Sequence, residues 1–144
     1  MLFRNTYTAI DRDMQRIEPG PHQAVRIENP LLARPILVTA LRSPKKLTWK
    51  QAQKWAASLD VYGWSWRLPE TYEAALVPDY SRTSYPLMPT EFFPDCDGEI
   101  IWTATENLTP PSGCARFVSL GYGGSGVNRQ SNEFFARAVR AGQF

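Results

Sequence analysis

Three carboxylates surround a glycine in the segment DCDGE, residues 95–99, a stretch whose residue types suggest a metal site. Calcium prefers carboxylate oxygens, but an EF-hand loop also needs ligands that continue to a glutamate at its twelfth position. Here the chain runs directly into the apolar residues Ile100, Ile101 and Trp102. The sequence therefore favours a solvated turn over a calcium site, and we predict that the protein holds no metal and no cofactor.

The residues that could supply a nucleophile or a base are two cysteines and a single histidine. A reactive thiol needs a base or a positive charge beside it. Arg116 is close to Cys114 in sequence, whereas His22 is far from both cysteines. Cys96 and Cys114 are 18 positions apart, and this favours free thiols, although a disulfide is also compatible with the sequence. A lone histidine cannot build a zinc site, so we expect His22 in a surface loop and no enzymatic activity.

A polar, glycine-rich stretch, GYGGSGVNRQSNE at residues 121–133, offers recognition chemistry. Its glycines do not have the spacing of a phosphate-binding loop. Tyrosine provides a rigid aromatic surface, while Asn, Gln and Arg provide adaptable hydrogen bonds on turns between strands. The alternative is a hairpin turn that is merely solvated. As candidate ligand- or partner-binding residues we select Asn107, Arg116, Tyr122, Asn128, Arg129, Gln130 and Asn132.

Length and composition describe an ordinary globular chain of 144 residues, 43% hydrophobic and 21% charged, which is enough for one domain with a core. The net charge is +2 and the basic residues are scattered, whereas nucleic-acid binding usually needs a concentrated basic surface. No apolar run approaches the roughly 18–20 residues of a membrane span, and residues 1–15 build no apolar signal core. We expect no nucleic-acid binding, no membrane insertion, no signal peptide, and a location in the cytoplasm or within a phage particle.

Hydrophobic periodicity predicts strands towards both ends of the chain and two helices between them. Alternation in TYTAI, QAVRI and PILVTAL, and later in EIIWTATE, ARFVSLGY and FFARAVRA, predicts strands. LTWKQAQKWAASLD predicts a helix that begins after Thr48, with Gln51 completing a capping box. A shorter helix should follow Pro69, and residues 78–99 show no periodicity. This order predicts an α+β fold with a mainly antiparallel sheet and long irregular loops.

Several short motifs occur in an order that resembles a known family. They are Thr48-Trp49, Trp66-Arg67-Leu68-Pro69, Asp79-Tyr80-Ser81, Phe92-Phe93-Pro94, Trp102-Thr103-Ala104-Thr105 and Ala136-Arg137-Ala138-Val139-Arg140. Together they resemble the Lcl C-terminal-like domain family of bacteria and phages, over about residues 36–140. The resemblance implies a C-type-lectin-like fold, with two helices packed on a small, mainly antiparallel, twisted sheet. We therefore divide the chain into an N-terminal strand or arm at residues 1–35 and the domain at residues 36–144, within one compact unit.

The sequence departs from this family at positions that carry chemistry. Members that live outside the cytoplasm often have a disulfide between the first helix and the last strand, where this chain has Ala56 and Ala138. Glu70 replaces the usual Thr at the start of the second helix, which removes the most obvious cap. The calcium-binding tripeptides of sugar-binding C-type lectins are absent. The closely spaced cysteine pair of the formylglycine-generating oxidases, an enzyme branch of the same fold, is also absent.

Three functions are compatible with these features. The first is a non-catalytic binding module that recognises a protein or a glycan through loops at residues 79–99 and 106–132. In phage tropism proteins of related fold, the corresponding end of the chain contacts the ligand. The second is a structural or accessory component of a phage particle or another assembly, in which the same surface docks subunits of a homo-oligomer or larger complex. The third, which we rank last, is an oxidase of the formylglycine-generating type.

Overall fold

The computed structural model describes residues 4–110 and 112–140, which form two antiparallel sheets and two helices. In chain order the elements are β1 (Thr6–Ile10), β2 (Ala24–Glu28), β3 (Ile36–Thr39), α1 (Trp49–Ala57), β4 (Trp66–Arg67), α2 (Thr71–Ala75), β5 (Ile100–Asn107), β6 (Cys114–Ser119), β7 (Ser125–Arg129) and β8 (Val139–Arg140). The first sheet has the strand order β1-β2-β3-β8-β4, and the second has the order β5-β6-β7. This arrangement confirms the predicted α+β class.

The N-terminal segment of the chain contributes two strands to the first sheet. β1 pairs antiparallel with β2, and β2 pairs antiparallel with β3. β3 then pairs with β8 through Val38 and Val139, which brings the two ends of the described chain into one sheet. The boundary predicted between residues 35 and 36 falls at the start of β3. The extreme ends of the two predicted units, residues 1–3 and 141–144, lie outside the described residues.

Helix α1 forms where the capping pattern and the periodicity predict it. The hydroxyl of Thr48 accepts from the backbone N–H of Gln51 (3.4 Å), and Gln51 Oε1 accepts from the N–H of Thr48 (3.0 Å). This reciprocal pair is the predicted capping box. The indole N–H of Trp49 donates to the carbonyl of Thr103 (2.8 Å), which fixes the start of α1 against β5.

Helix α2 is only five residues long, shorter than predicted, and it ends before Pro78. Its start is held by Glu73, whose carboxylate accepts from the backbone N–H of Glu70 (2.8 Å). The same carboxylate accepts two hydrogen bonds from the guanidinium of Arg67, at 2.7 and 2.9 Å. These hydrogen bonds raise the pKa of Arg67. The arginine of the Trp-Arg-Leu-Pro motif therefore ties β4 to α2.

The acidic turn at residues 95–99 surrounds a buried arginine. Arg137, 1% exposed, donates to Glu99 (3.0 Å), to Asp95 (2.7 Å) and to the carbonyl of Ala40 (2.7 Å). The prediction of a solvated turn is therefore wrong for Asp95 and Glu99. Both carboxylates pair with Arg137, which comes 38 positions after Glu99 in the chain, and Glu99 also lies 3.7 Å from the guanidinium of Arg42. We refer to Asp95, Glu99 and Arg137 as the arginine cluster.

His22 is buried, and its predicted place in a surface loop is wrong. The residue is 5% exposed, Nδ1 accepts from the N–H of Gly20 (3.0 Å), and Nε2 donates to the carbonyl of Phe92 (2.8 Å). A carbonyl partner requires a proton on Nε2, and an N–H partner requires a free lone pair on Nδ1. The two contacts therefore specify one neutral tautomer, and the residue that buries the ring is 70 positions away.

Residues 76–99 contain neither helix nor strand, and this stretch includes the whole of the irregular segment predicted at residues 78–99. The segment is anchored by its aromatic residues, since Phe93 is fully buried and Tyr7 of β1 packs against both Phe92 and Phe93, with centroids 5.8 and 6.1 Å away. Burial raises the pKa of Tyr7, whose hydroxyl donates to the carbonyl of Val77 (2.5 Å). The loop is thus an irregular but packed part of the fold.

Candidate binding surface

The second sheet, which positions most of the candidate residues, contains a strand where the sequence predicts a polar turn. Residues 125–129 form β7 and pair with β6 over five residues, from Arg129 opposite Cys114 to Ser125 opposite Val118. Gly126 is needed in this strand, because a Cβ atom there would lie 2.8 Å from the ring of Phe117. Asn128 and Arg129 are therefore strand residues, and the prediction of turns at these two positions is wrong.

The sheet separates the candidate residues into two groups. Asn107 pairs with Cys114, and Cys114 pairs with Arg129, at one end of the sheet. Tyr122 lies in the β6–β7 hairpin at the opposite end. The two ends of the sheet are separated by the length of β6, about 17 Å. Arg116 is half-buried in the middle of β6. The structure therefore does not bring the predicted residues together into one site.

The first group, which we call the amide patch, contains Asn107, Asn128, Arg129, Gln130 and Asn132. The side-chain oxygen of Asn128 accepts from the backbone N–H of Arg129 (2.8 Å) and from the side-chain amide of Asn132. The amide of Gln130 donates to the carbonyl of Cys114 (3.2 Å). Asn128, Arg129 and Gln130 border a groove of about 610 Å³. Their hydrogen bonds mainly hold the turns at this end of the sheet.

The second group is aromatic, and only one of its members is among the predicted residues. Tyr122, 77% exposed, lies beside Tyr85, 53% exposed, with ring centroids 5.0 Å apart. Tyr80, 54% exposed, packs against Gly123 in the same hairpin. We call Tyr80, Tyr85 and Tyr122 the tyrosine patch. Large contiguous exposed apolar surfaces are commonly interaction sites in proteins.

Glycines beneath the rings explain how the tyrosine patch forms. A Cβ atom on Gly98 or Gly121 would overlap the ring of Tyr85, and a Cβ atom on Gly123 would overlap the ring of Tyr80. The two rings therefore lie directly on the backbone of the acidic turn and of the β6–β7 hairpin. Any larger residue at these positions would push them away.

Hydrogen bonds to the backbone fix two of the three rings. The hydroxyl of Tyr80 donates to the carbonyl of Ala75 (2.5 Å), and that of Tyr85 donates to the carbonyl of Asp97 (3.2 Å). Burial raises the pKa of Tyr80, so its hydroxyl is a neutral donor at physiological pH. Rings that are already ordered lose little conformational entropy when a partner binds.

Tyr80 and Tyr85 are absent from the candidate residues, because aromatic side chains in a long loop are expected to pack within it. The signal that could have indicated their role is the set of glycines at positions 98, 121 and 123. These lie near both aromatic segments only in the folded chain. The pairing of ring and glycine depends on contacts across more than ten residues, which local pattern analysis does not detect.

Neither cysteine has the environment of a reactive thiol. Cys96 and Cys114 are both buried and free. Cys96 precedes β5, whereas Cys114 pairs with the last residue of β5, so eight strand residues separate them. That separation far exceeds the Cα distance of about 7 Å that a disulfide tolerates. Burial raises the pKa of Cys96 to about 11, whereas nucleophilic thiols have a lowered pKa.

We predict that Cys96 is alkylated only when the protein unfolds. At pH 8, iodoacetamide should modify Cys96 at least about tenfold more slowly in the native protein than in urea. The folded thiol keeps a proton that the unfolded thiol, with a pKa of 9.0, loses first. The buried, protonated thiol therefore makes its full contribution to the stability of the folded state below pH 9, and this contribution is lost as the pH rises towards 11. Mass spectrometry of the alkylated peptide measures the rate, and equal rates in the two states would contradict the prediction.

Across residues 4–110 and 112–140, no group of three His, Cys, Asp or Glu side chains is arranged to hold a metal ion. Two of the three carboxylates that suggested calcium, Asp95 and Glu99, instead pair with Arg137, and the third, Asp97, pairs with Arg42 (2.8 Å). The same described part of the chain contains no helix of the length and apolar character needed to cross a membrane.

Comparison with family models identifies the segment that carries both groups of candidate residues. The model of the Lcl C-terminal domain matches residues 26–140, which run from β2 to β8 and include both helices and the whole second sheet. The match begins earlier than the motifs indicated, within β2. A comparison with curated protein sequences finds no match.

Proposed function

The chain belongs to the Lcl C-terminal domain family, and we propose that it is a non-catalytic binding module whose tyrosine patch holds a protein or a glycan. The contact surface then consists of the long loop around Tyr80 and Tyr85 and of the hairpin around Tyr122. The amide patch forms a second, polar area at the other end of the same sheet. We also propose that the two helices, two sheets and long loop form a C-type-lectin-like arrangement.

The observation that supports this function is the combination of exposure and order in the tyrosine patch. Each of the three tyrosine residues is more than half exposed, yet two of their rings lie on glycine backbone and their hydroxyls donate to carbonyls. Exposing large aromatic surface to water is unfavourable unless a partner covers it. Tyrosine rings pack well against protein side chains and against the apolar faces of sugars, and their hydroxyls add hydrogen bonds.

A second candidate function, a structural or accessory component of a phage particle or another assembly, has its own support. β7 forms an edge of the second sheet and pairs only with β6 among the described strands. An open strand edge is a favourable place for another polypeptide to pair. In this alternative the chain would act inside the assembly and the tyrosine patch would contact a neighbouring subunit.

We predict that Tyr122→Ala weakens binding at least about tenfold, which corresponds to about 1.4 kcal/mol. The probes are a glycan array and immobilised bacterial cells, both titrated with fluorescently labelled protein. Tyr72→Ala is the matched control, because Tyr72 is 62% exposed but lies on α2, outside the tyrosine patch.

Both variants should keep the thermal midpoint of the parent protein, since exposed side chains contribute little to stability. Equal binding by the parent and by Tyr122→Ala would contradict the proposed function. Equal loss in Tyr72→Ala and Tyr122→Ala would also contradict it, because binding would then not depend on the tyrosine patch.

A further inference from the structure

The second sheet is open on one side only. Its β5 edge is covered, because Trp102 N–H donates to the carbonyl of Phe135 (3.2 Å) and Ala104 N–H donates to the carbonyl of Pro69 (2.7 Å). Its β7 edge has no neighbouring strand among residues 4–110 and 112–140. The unpaired backbone groups of the sheet are therefore concentrated along β7.

The register of the β6–β7 pair identifies which backbone groups face outward. At one end Ser119 N–H donates to the carbonyl of Gly124 (2.7 Å), and at the other Gln130 N–H donates to the carbonyl of Gly113 (3.0 Å). The pairing between these points is regular. Since hydrogen-bonded pairs alternate in an antiparallel ladder, the even-numbered residues of β7 bond to β6. The N–H and C=O groups of Ser125 and Val127 consequently point away from the sheet.

These outward groups have no partner within the described part of the chain. At Arg129, the next odd-numbered residue, both backbone groups have partners. Its N–H donates to the Asn128 side chain (2.8 Å), and its carbonyl accepts from the N–H of Asn132 (3.0 Å). Gly123, the odd-numbered residue before Ser125, also has a bonded N–H, which donates to the carbonyl of Ser119 (2.7 Å). The open edge is therefore limited to Ser125 and Val127.

β7 also lacks the features with which edge strands usually avoid pairing. Its sequence, SGVNR, contains no proline, no lysine and no acidic residue, and its one charge lies at its last position. The regular register shows no bulge in the strand. Proteins that need to keep an edge free commonly use one of these devices. Apart from the shortness of the open edge, no residue of β7 disfavours the addition of another strand.

We propose that β7 pairs antiparallel with β7 of a second copy of this chain, so that the two three-stranded sheets become one six-stranded sheet. A two-fold axis beside Gly126 places Ser125 opposite Val127 of the second copy, and Val127 opposite Ser125. All the open N–H and C=O groups of both strands are then satisfied by four hydrogen bonds.

Other two-fold registers fit the open edge less well. An axis beside Val127 would pair Ser125 with Arg129, whose backbone groups are already bonded. An axis beside Ser125 would pair Val127 with Gly123, whose N–H is already bonded. The register beside Gly126 also places Gly124 opposite Asn128 and brings no like charges together. The backbone hydrogen bonds of the monomer therefore select one register.

The chemistry of the edge favours a second copy as the occupant. The strand offers two outward residues separated by one inward residue, and an antiparallel copy presents the same pattern in the reverse direction. The contact is short, so we expect the dimer to form at high protein concentration and to dissociate on dilution. The inference uses only β7 and does not rest on the tyrosine patch.

Cysteine cross-linking tests the register directly. In the proposed dimer, residues 124 and 128 of opposite chains form a non-hydrogen-bonded pair with Cα atoms about 4.5 Å apart, a distance suitable for a disulfide. A Cβ atom at Gly124 would have no heavy atom within 4 Å. Gly124→Cys combined with Asn128→Cys should therefore give a disulfide-linked dimer under mild oxidation, seen on a non-reducing gel.

The single variants provide the matched controls. Gly124→Cys alone and Asn128→Cys alone should give no disulfide-linked dimer on the non-reducing gel, because each new cysteine lies about 13 Å from its equivalent in the proposed register. Mixing the two single variants should restore the cross-linked dimer. The native cysteines are present in every sample and are both buried. A dimer that forms equally in the single variants would overturn the register.

A second experiment uses the unmodified chain and a backbone substitution. Light scattering after size exclusion should show the mass of the parent protein rising from 16.3 kDa towards twice that value as the concentration increases. Val127→Pro removes one outward N–H and should abolish the rise, whereas Val127→Thr keeps that N–H and should preserve it. A parent protein that is monomeric at every concentration, with no cross-linking in the double variant, would overturn the proposal. If Val127→Pro does not fold, the cross-linking experiment alone decides whether the β7–β7 dimer forms.

Discussion

Replacing Arg137 with alanine should lower the free energy of unfolding by about 3–5 kcal/mol, the usual effect of removing one partner from a buried ion pair. Arg137 is 1% exposed, and its side chain makes three hydrogen bonds, to Asp95, Glu99 and the carbonyl of Ala40. The side chain of Glu99 is 2% exposed, so the substitution leaves a buried carboxylate whose remaining cation, Arg42, lies 3.7 Å away. Urea denaturation monitored by tryptophan fluorescence measures the change.

A surface arginine provides the control for this prediction. Arg129 is exposed on β7, and Arg129→Ala should change the free energy of unfolding by no more than about 0.5 kcal/mol. If the loss in Arg137→Ala arises from the stranded charge of Glu99, the double variant Arg137→Met with Glu99→Leu should be more stable than Arg137→Met alone. Similar unfolding midpoints for Arg137→Ala and the parent protein would contradict the arginine cluster as a source of stability.

The arginine cluster also connects the fold to the candidate surface. Asp95 and Glu99 belong to the acidic turn, and Gly98 in the same turn supports the ring of Tyr85. Holding the turn on Arg137 therefore holds one wall of the tyrosine patch. The cluster is a structural element, but its geometry decides where an exposed ring can lie.

Helix α1 and the fold class could be predicted from the sequence because their determinants are local. Thr48 and Gln51 are three positions apart, and the buried stripe of α1 repeats at helical spacing. β1 and β2 of the first sheet likewise overlap the stretches TYTAI and QAVRI, whose alternating residues predict strands. In these segments, the residues that carry the pattern are the same residues that form the helix or strand.

The remaining features depend on residues that are distant in sequence. β7 has the composition of a turn, yet it forms a strand because β6 provides a ladder and Phe117 covers Gly126. His22 is buried by a contact 70 positions away. The division of the candidate residues into two groups follows from the register of β6, which no residue type encodes by itself. Local patterns therefore indicated recognition chemistry but not its geometry.

Replacing Trp102 with alanine should lower the free energy of unfolding by about 3–5 kcal/mol, as expected for a fully buried large aromatic residue. Trp102 has no exposed surface, and its ring packs against Phe134 with centroids 4.8 Å apart. Its indole N–H donates to the carbonyl of Leu47 (2.8 Å), which would lose this partner. Thermal and urea unfolding measure the loss.

The position of Trp102 in β5 extends its effect to the candidate surface. Trp102 pairs with Phe117 of β6, and the ring of Phe117 covers Gly126 in β7. Trp102→Phe keeps most of the aromatic volume but not the indole N–H, so it should lose less stability than Trp102→Ala. Hydrogen exchange should then show faster opening of β6 and β7 in Trp102→Ala than in Trp102→Phe. If the two variants open these strands at the same rate, the packing of Trp102 does not support the sheet that carries both groups of candidate residues.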